Sequence, residues 1–168
     1  MTPLVVFGLR TLACLEAKED FYKQIDRGSI LAEGRFPEEQ LEIIADGFGL
    51  GILSSHSVGR IESIINHLGW SHLFPKDHLI SSAPKDRKDV LNWRTWLQTF
   101  HERGLKIHTV IDIGEVLVRN LASSSAFEQL DKYYVSDDPA VRIEGATRIT
   151  SLEQTVAYRL AIQGKQQR

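Results

Sequence analysis

The apolar positions change period along the chain, and the changes mark alternating strands and helices. Leu4-Val5-Val6-Phe7 is an unbroken apolar run, as expected of a strand covered on both faces. A charged amphipathic stretch over 15–26 follows, with Gly28 placed to stop it, and 34–36 reads as a loop. Pro37 stands where a first helical residue belongs. Glu38 and Glu39 follow in the first turn, and Leu41, Ile44 and Ala45 share one face. Glycines at 47, 49 and 51 lead into a second strand over 50–53, and 54–57 is a polar turn. Val58, Ile61, Ile64, Ile65 and Leu68 recur three and four apart before Gly69, which predicts an amphipathic helix with a glycine stop.

The second half repeats the scheme. A short strand is expected over 78–82. The longest helix is expected over 88–103, with Val90, Leu91, Trp93, Leu97 and Phe100 inward and Gly104 at its end. Trp96 falls off that stripe and is expected at a contact surface. A strong strand over 105–113, a helix over 114–123 and short strands over 132–135 and 147–149 follow. Ser151 and Gln154 form a capping box for a last helix reaching Ile162, and 164–168 is expected to fray as a disordered tail. This alternation predicts one α/β domain over 1–168: a three-layer, Rossmann-like fold with a mostly parallel central sheet and helices on both faces. Ligands in such sheets bind outside the carboxyl ends of the strands. The segments to inspect are therefore 8–11, 54–57, 81–88, 112–115 and 136–139.

Composition narrows the class. A chain of 168 residues with 42% apolar and 25% charged residues can bury a full core. The net charge of −2 provides no field to recruit nucleic acid or anionic lipid, and neither partner is expected. Cys14 is the only cysteine, which excludes an internal disulfide and fits a cytoplasmic protein. No apolar run is long enough to span a membrane. His67, His72 and His78 match no zinc spacing and read as surface histidines. There is no G-x-S-x-G elbow, Walker loop or dinucleotide fingerprint.

The strand-end segments, taken in order, resemble the haloacid-dehalogenase-like (HAD) superfamily of phosphohydrolases. Leu4 to Phe7 followed by Thr11-Leu12 is similar to the first motif, and Gly51-Ile52-Leu53-Ser54 to the second. The stretch from Ile61 to Phe74 is phrased like the helix and turn that follow it. Lys88 or Lys85 stands for the lysine of the third motif, and Val110-Ile111-Asp112 for the fourth. About 40 residues separate the first two motifs, as in capless members without a large cap. The resemblance implies phosphate binding at Ser54, Ser55 and Lys88, and a crevice formed by Gly8, Arg10, Thr11, Asp112 and Glu115.

The departures change the expected function. The family's first motif carries two aspartates, a nucleophile and a general acid/base. Here Gly8 and Arg10 stand in their places, and the phrase is one residue short. Glycine offers no nucleophile, and losing a covalent nucleophile costs on the order of 10⁶ in turnover. Asp112 is followed by Ile113, leaving Glu115 as the nearest second acid, so Mg²⁺ is expected only if the chain is catalytically active. No other cofactor is expected. The expectation is a catalytically inactive relative that binds a small phosphate-bearing ligand or a protein partner; the alternative is an active phosphomonoesterase with an unusual first motif. The residues leave two local questions open. Ser54 and Ser55 either cap the following helix or bind phosphate, with the amides of 56–59 free to help. A buried Asp112 also needs a counter-charge, and Arg10 is the expected cation.

Overall fold

The computed structural model describes residues 1–15 and 32–167. The expected stretch over 15–26 and its stop at Gly28 lie outside the described residues, except for the backbone of Leu15. The elements are β1 (Thr2–Phe7), α1 (Leu9–Leu12), β2 (Ala13–Leu15), β3 (Ala32–Gly34), α2 (Glu38–Ala45), β4 (Gly49–Ser54), α3 (Val58–His67), β5 (Leu79–Ser81), α4 (Val90–Glu102), β6 (Leu105–Asp112), α5 (Glu115–Ala122), β7 (Asp131–Val135), β8 (Thr147–Ile149) and α6 (Val156–Gln166).

Six strands form one parallel sheet in the order β5-β4-β1-β6-β7-β8. From β1 the chain steps outward to β4 and β5. It then returns to pair β6 with the other edge of β1, and steps outward again to β7 and β8. The order therefore reverses between β1 and β6, and a crevice is expected at their carboxyl ends.

Side chains of β1 alternate between two cores. Val5 and Phe7 join Leu50, Ile52 and Ile111 beneath α2, α3 and α6, which contribute Leu41, Ile44, Ile61, Ile64 and Tyr158. Leu4 and Val6 join Leu53, Ile107 and Val110 beneath α4 and α5, through Trp93, Trp96, Phe100, Leu117 and Leu121. The unbroken apolar run of β1 thus follows from burial on both faces. In β6 the register slips between Leu4↔Ile107 and Val5↔Thr109, leaving His108 as the extra residue. Before the bulge, odd positions face α4 and α5; after it, Val110 does. One inserted residue reverses the alternation and sets the face to which every later side chain of β6 points.

Several expectations need correction. The segment over 34–36 is not wholly loop, because β3 ends at Gly34 and pairs antiparallel with β2. α4 starts at Val90 with Asp89 as its cap, so Lys88 lies in the preceding turn. Leu91 is exposed, and Trp96 takes its place inward, edge-on to Trp93 at 5.5 Å. The inward stripe is Trp93, Trp96 and Phe100, a spacing of three and four. The last helix passes Ile162 and runs through Gln166, so 164–166 is helical. Ser151 and Gln154 do form a capping box, but it closes a 3-10 turn over Leu152–Gln154, and Thr155 caps α6 itself. No helix among the described residues is long and apolar enough to cross a membrane.

Candidate functional site

The strand ends at the reversal point carry the site. Phe7, the last residue of β1, pairs with Ile111 of β6, which brings Gly8 beside Asp112. Thr11 is fully buried, and its Oγ1 accepts a hydrogen bond from Ile113 N at 3.1 Å. That bond ties the turn after β1 to the turn after β6. Arg35 secures the other side of α1 by donating to the carbonyls of Thr11 and Arg10, both at 3.0 Å.

Asp112 is 3% exposed and both of its carboxylate oxygens are engaged. Oδ1 accepts from Gly114 N at 2.8 Å, and Oδ2 accepts from Arg87 Nη2 at 2.5 Å. A buried carboxylate without a partner would be strongly unfavourable, so the need for a cation is met, but not by the expected residue. Arg10 is exposed and does not pair with Asp112. It leaves the end of β1 and adds its charge near His56 instead. The His56 ring is buried, and burial foremost, then the charges of Arg10 and Arg60, lower its pKa.

Arg87 comes from the turn between β5 and α4, and neighbouring side chains fix that turn. Trp93 Nε1 donates to the Arg87 carbonyl at 2.7 Å, and Asn92 Nδ2 to that of Asp86 at 3.0 Å. Asn120 of α5 donates to the Lys88 carbonyl at 2.7 Å, while Asp86 Oδ1 accepts from Lys88 N at 2.9 Å. Side chains from two helices therefore set the position of one guanidinium. Arg87 Nε is buried and has no hydrogen-bond partner among the described residues, so the guanidinium is only partly satisfied.

The ion pair fills the volume that a side chain at position 8 would take. A Cβ built on Gly8 lies 2.5 Å from Asp112 Oδ2 and 2.9 Å from Arg87 Nη2. The backbone there, at φ −72° and ψ 150°, suits any residue, so the constraint is space and not conformation.

Beside the pair opens a cleft of about 440 Å³. Ser55, Lys85 and Lys88 line it with Arg87, Asp112, Glu115 and the start of α5. Both candidate lysines thus face the same cleft. Glu115 is engaged by Arg119 one helical turn on, at 2.7 Å. Among the described residues neither Lys85 nor Lys88 has an ion-pair partner.

The structure does not bring every candidate to the cleft. Ser54 is buried at the end of β4, where its Oγ accepts from His56 N at 3.3 Å. The His56 amide is therefore not free for an anion. Neither Ser54 nor Ser55 caps α3; Ser57 does, accepting from Arg60 N at 3.3 Å. Segment 136–139 lies off the cleft. His78 is not a surface histidine, since it is half-buried with Nδ1 2.9 Å from the Leu50 carbonyl oxygen. His72 is exposed beside Glu38 and Glu42, at 3.8 and 3.7 Å.

The donor set does not suit Mg²⁺, which requires several hard oxygen ligands in near-octahedral geometry. Among the described residues only one carboxylate, Asp112, is buried, and hydrogen-bond donors occupy both its oxygens. Gly8 and Arg10 supply no acid, and Glu115 is held by Arg119. Sequence reasoning identified the acid and its need for a cation but missed Arg87. The available signal was a third basic residue between Lys85 and Lys88, after the strand that borders β4. No model of a known protein family matches the chain, and no curated protein matches it.

Proposed function

We propose that this chain is a HAD-like domain that binds an anionic ligand at the β1–β6 crevice without hydrolysing phosphate esters. The observation that carries the reading is the filled position beside Gly8. The residue there offers no nucleophile, and the Arg87–Asp112 pair occupies the space that a catalytic carboxylate would need. Attack on phosphorus requires a group within about 3–3.5 Å of the reacting atom. The nearest carboxylate, Asp112, is instead bonded through both oxygens.

Binding is supported by charge. Lys85 and Lys88, without an ion-pair partner among the described residues, line the cleft with Ser55; of its acids, Asp112 and Glu115 are paired with Arg87 and Arg119, and Asp86 accepts from Lys88 N. Two lysines and a hydroxyl partly open to water correspond to millimolar affinity for a simple anion, roughly −4 kcal/mol. A cytosolic setting is part of the proposal, supported by the single cysteine, Cys14.

The test is a phosphate titration followed through backbone amide shifts, with sulfate as a second probe. Shifts of Ser55 and of 85–88 that saturate in the millimolar range, and weaken at least threefold in Lys88→Ala or Lys85→Ala, support the reading. Unmoved amides up to tens of millimolar, or an affinity indifferent to both lysines, overturn it.

A further inference from the structure

We propose that Glu38, Glu42 and His72 form a surface site for a divalent transition-metal ion, Zn²⁺ foremost, that joins α2 to the turn after α3. The proposal uses none of the crevice residues and does not depend on anion binding there.

Glu38 and Glu42 stand one helical turn apart on α2, so their side chains leave the same face. Leu41 and Ile44 of that helix are buried in the core and fix its rotation. His72 lies between buried Trp70 and the buried pair Leu73 and Phe74, and Leu73 N donates to the Trp70 carbonyl at 2.9 Å. Packing on both sides of the histidine therefore holds its turn. His72 Nε2 lies 3.8 Å from Glu38 Oε1 and 3.7 Å from Glu42 Oε1, and the three ligand atoms all fall within 4.8 Å of one another. In a tetrahedral zinc site, ligand atoms are about 3.3 Å apart. All three side chains are about half exposed, so they can close the difference and an ion can reach them from solvent.

The chemistry of the trio favours a cation. Two carboxylates at i and i+4 repel each other. Among the described residues, His72 is their only ion-pair partner, and it is charged only when protonated. With a neutral ring, two carboxylate oxygens and a nitrogen lone pair converge on one point. That mixed donor set suits Zn²⁺, whereas Mg²⁺ and Ca²⁺ prefer oxygen ligands alone. Three protein ligands leave a fourth position for water, as in open zinc sites. The histidine spacings carry no trace of the trio, because the fold pairs His72 with acids from another segment. The competing explanation is an ordinary surface ion pair, which would give the trio no selective response to metal.

The experiment titrates the full chain with Zn²⁺ at pH 7.5 by calorimetry, in a buffer that does not bind the ion. A Cys14→Ser background removes the exposed thiol, the other soft ligand. One equivalent should bind, and His72→Ala should weaken it at least tenfold. Glu38→Gln and Glu42→Gln should each weaken it several-fold, while His67→Ala leaves it unchanged. Mg²⁺ at the same concentrations should not compete. For a Kd near 10 μM, 100 μM free Zn²⁺ raises the folding constant about elevenfold, read as a higher melting temperature that His72→Ala abolishes. Co²⁺ in place of Zn²⁺ should broaden the amide signals of residues 38, 42 and 72 first. Zinc binding no tighter than millimolar overturns the proposal. So does an affinity indifferent to His72→Ala, or Co²⁺ broadening centred elsewhere.

Discussion

Replacing Gly8 by alanine adds one methyl group at the most crowded point of the crevice. Its carbon would lie 2.5 Å from Asp112 Oδ2 and 2.9 Å from Arg87 Nη2. Both are far ends of side chains, which normally move aside at little cost. Here they are bonded to each other, and the carboxylate is also held by Gly114 N. Inserting a methyl group into such packing costs ~1–3 kcal/mol. Because φ −72° and ψ 150° suit alanine, the substitution also restricts the unfolded chain and returns ~0.4–1 kcal/mol. The net expectation is a loss of about 1–2 kcal/mol, measured by urea unfolding with an unchanged m value. In an Asp112→Ala background the nearest atom is gone, and the Gly8→Ala penalty should shrink by about 1 kcal/mol through the coupling of neighbouring sites. A Gly8→Ala protein as stable as wild type, or an equal penalty in both backgrounds, would refute the claim that the ion pair fills this volume.

Three further outcomes follow from the same geometry. Gly59 lies inside α3 with nothing within 4 Å of an added Cβ, so Gly59→Ala should stabilise by ~0.5–1 kcal/mol in the same unfolding assay. Ser57→Ala removes the cap of α3 and should cost ~0.5–2 kcal/mol, whereas Ser55→Ala, which caps nothing, should cost much less. The depressed pKa of buried His56 gives stability a pH slope. The unfolded ring takes up a proton near pH 6.5, before the folded ring does, so stability is fully present above that value and is lost as the pH falls toward the lower folded value. Unfolding midpoints at pH 7.5 and 5.5 should therefore differ more in wild type than in His56→Gln; equal slopes would remove His56 as the cause.

Elements with one dominant period were legible in the sequence. α3 and β8 fall within a residue of their expected limits and β1 ends where expected at Phe7, though it begins two residues before Leu4; continuous burial, and a 3.6 period with a glycine stop, leave direct traces in β1 and α3. Gly69 and Gly104, both at positive φ, mark the ends of their helices as expected. The errors arose where two residue types competed for one role. Leu91 and Trp96 both qualify as apolar positions of α4. The helix begins at Val90, two residues later than expected, and buries Trp93, Trp96 and Phe100 at spacings of three and four, while Leu91 in its first turn stays in solvent. The small β2–β3 pair leaves no trace, because its three-residue arms are distant in sequence and carry no alternation.

The same distinction applies to the site. Asp112 is visible as an acid closing an apolar strand, and the need for a counter-charge follows from burial. Which cation answers is a matter of tertiary placement. Arg10 is close in sequence to the strand end but is exposed and does not pair with the acid, while Arg87 reaches it from a turn that Trp93, Asn92 and Asn120 hold. Ser54 and Ser55 looked equivalent as neighbours, yet strand alternation buries the first and turns the second into the cleft.

The central claim, a crevice that holds an anion and performs no chemistry on it, is tested most directly by phosphorus NMR of one sample. Wild-type protein is mixed with a millimolar phosphomonoester such as p-nitrophenyl phosphate and with Mg²⁺, and the spectrum is followed over hours. The account predicts an ester resonance broadened or shifted by the protein, less so by Lys88→Ala, and no growth of inorganic phosphate above the protein-free control. Inorganic phosphate released at a turnover of order 1 s⁻¹, dependent on Mg²⁺ and lost in Asp112→Asn, would contradict it.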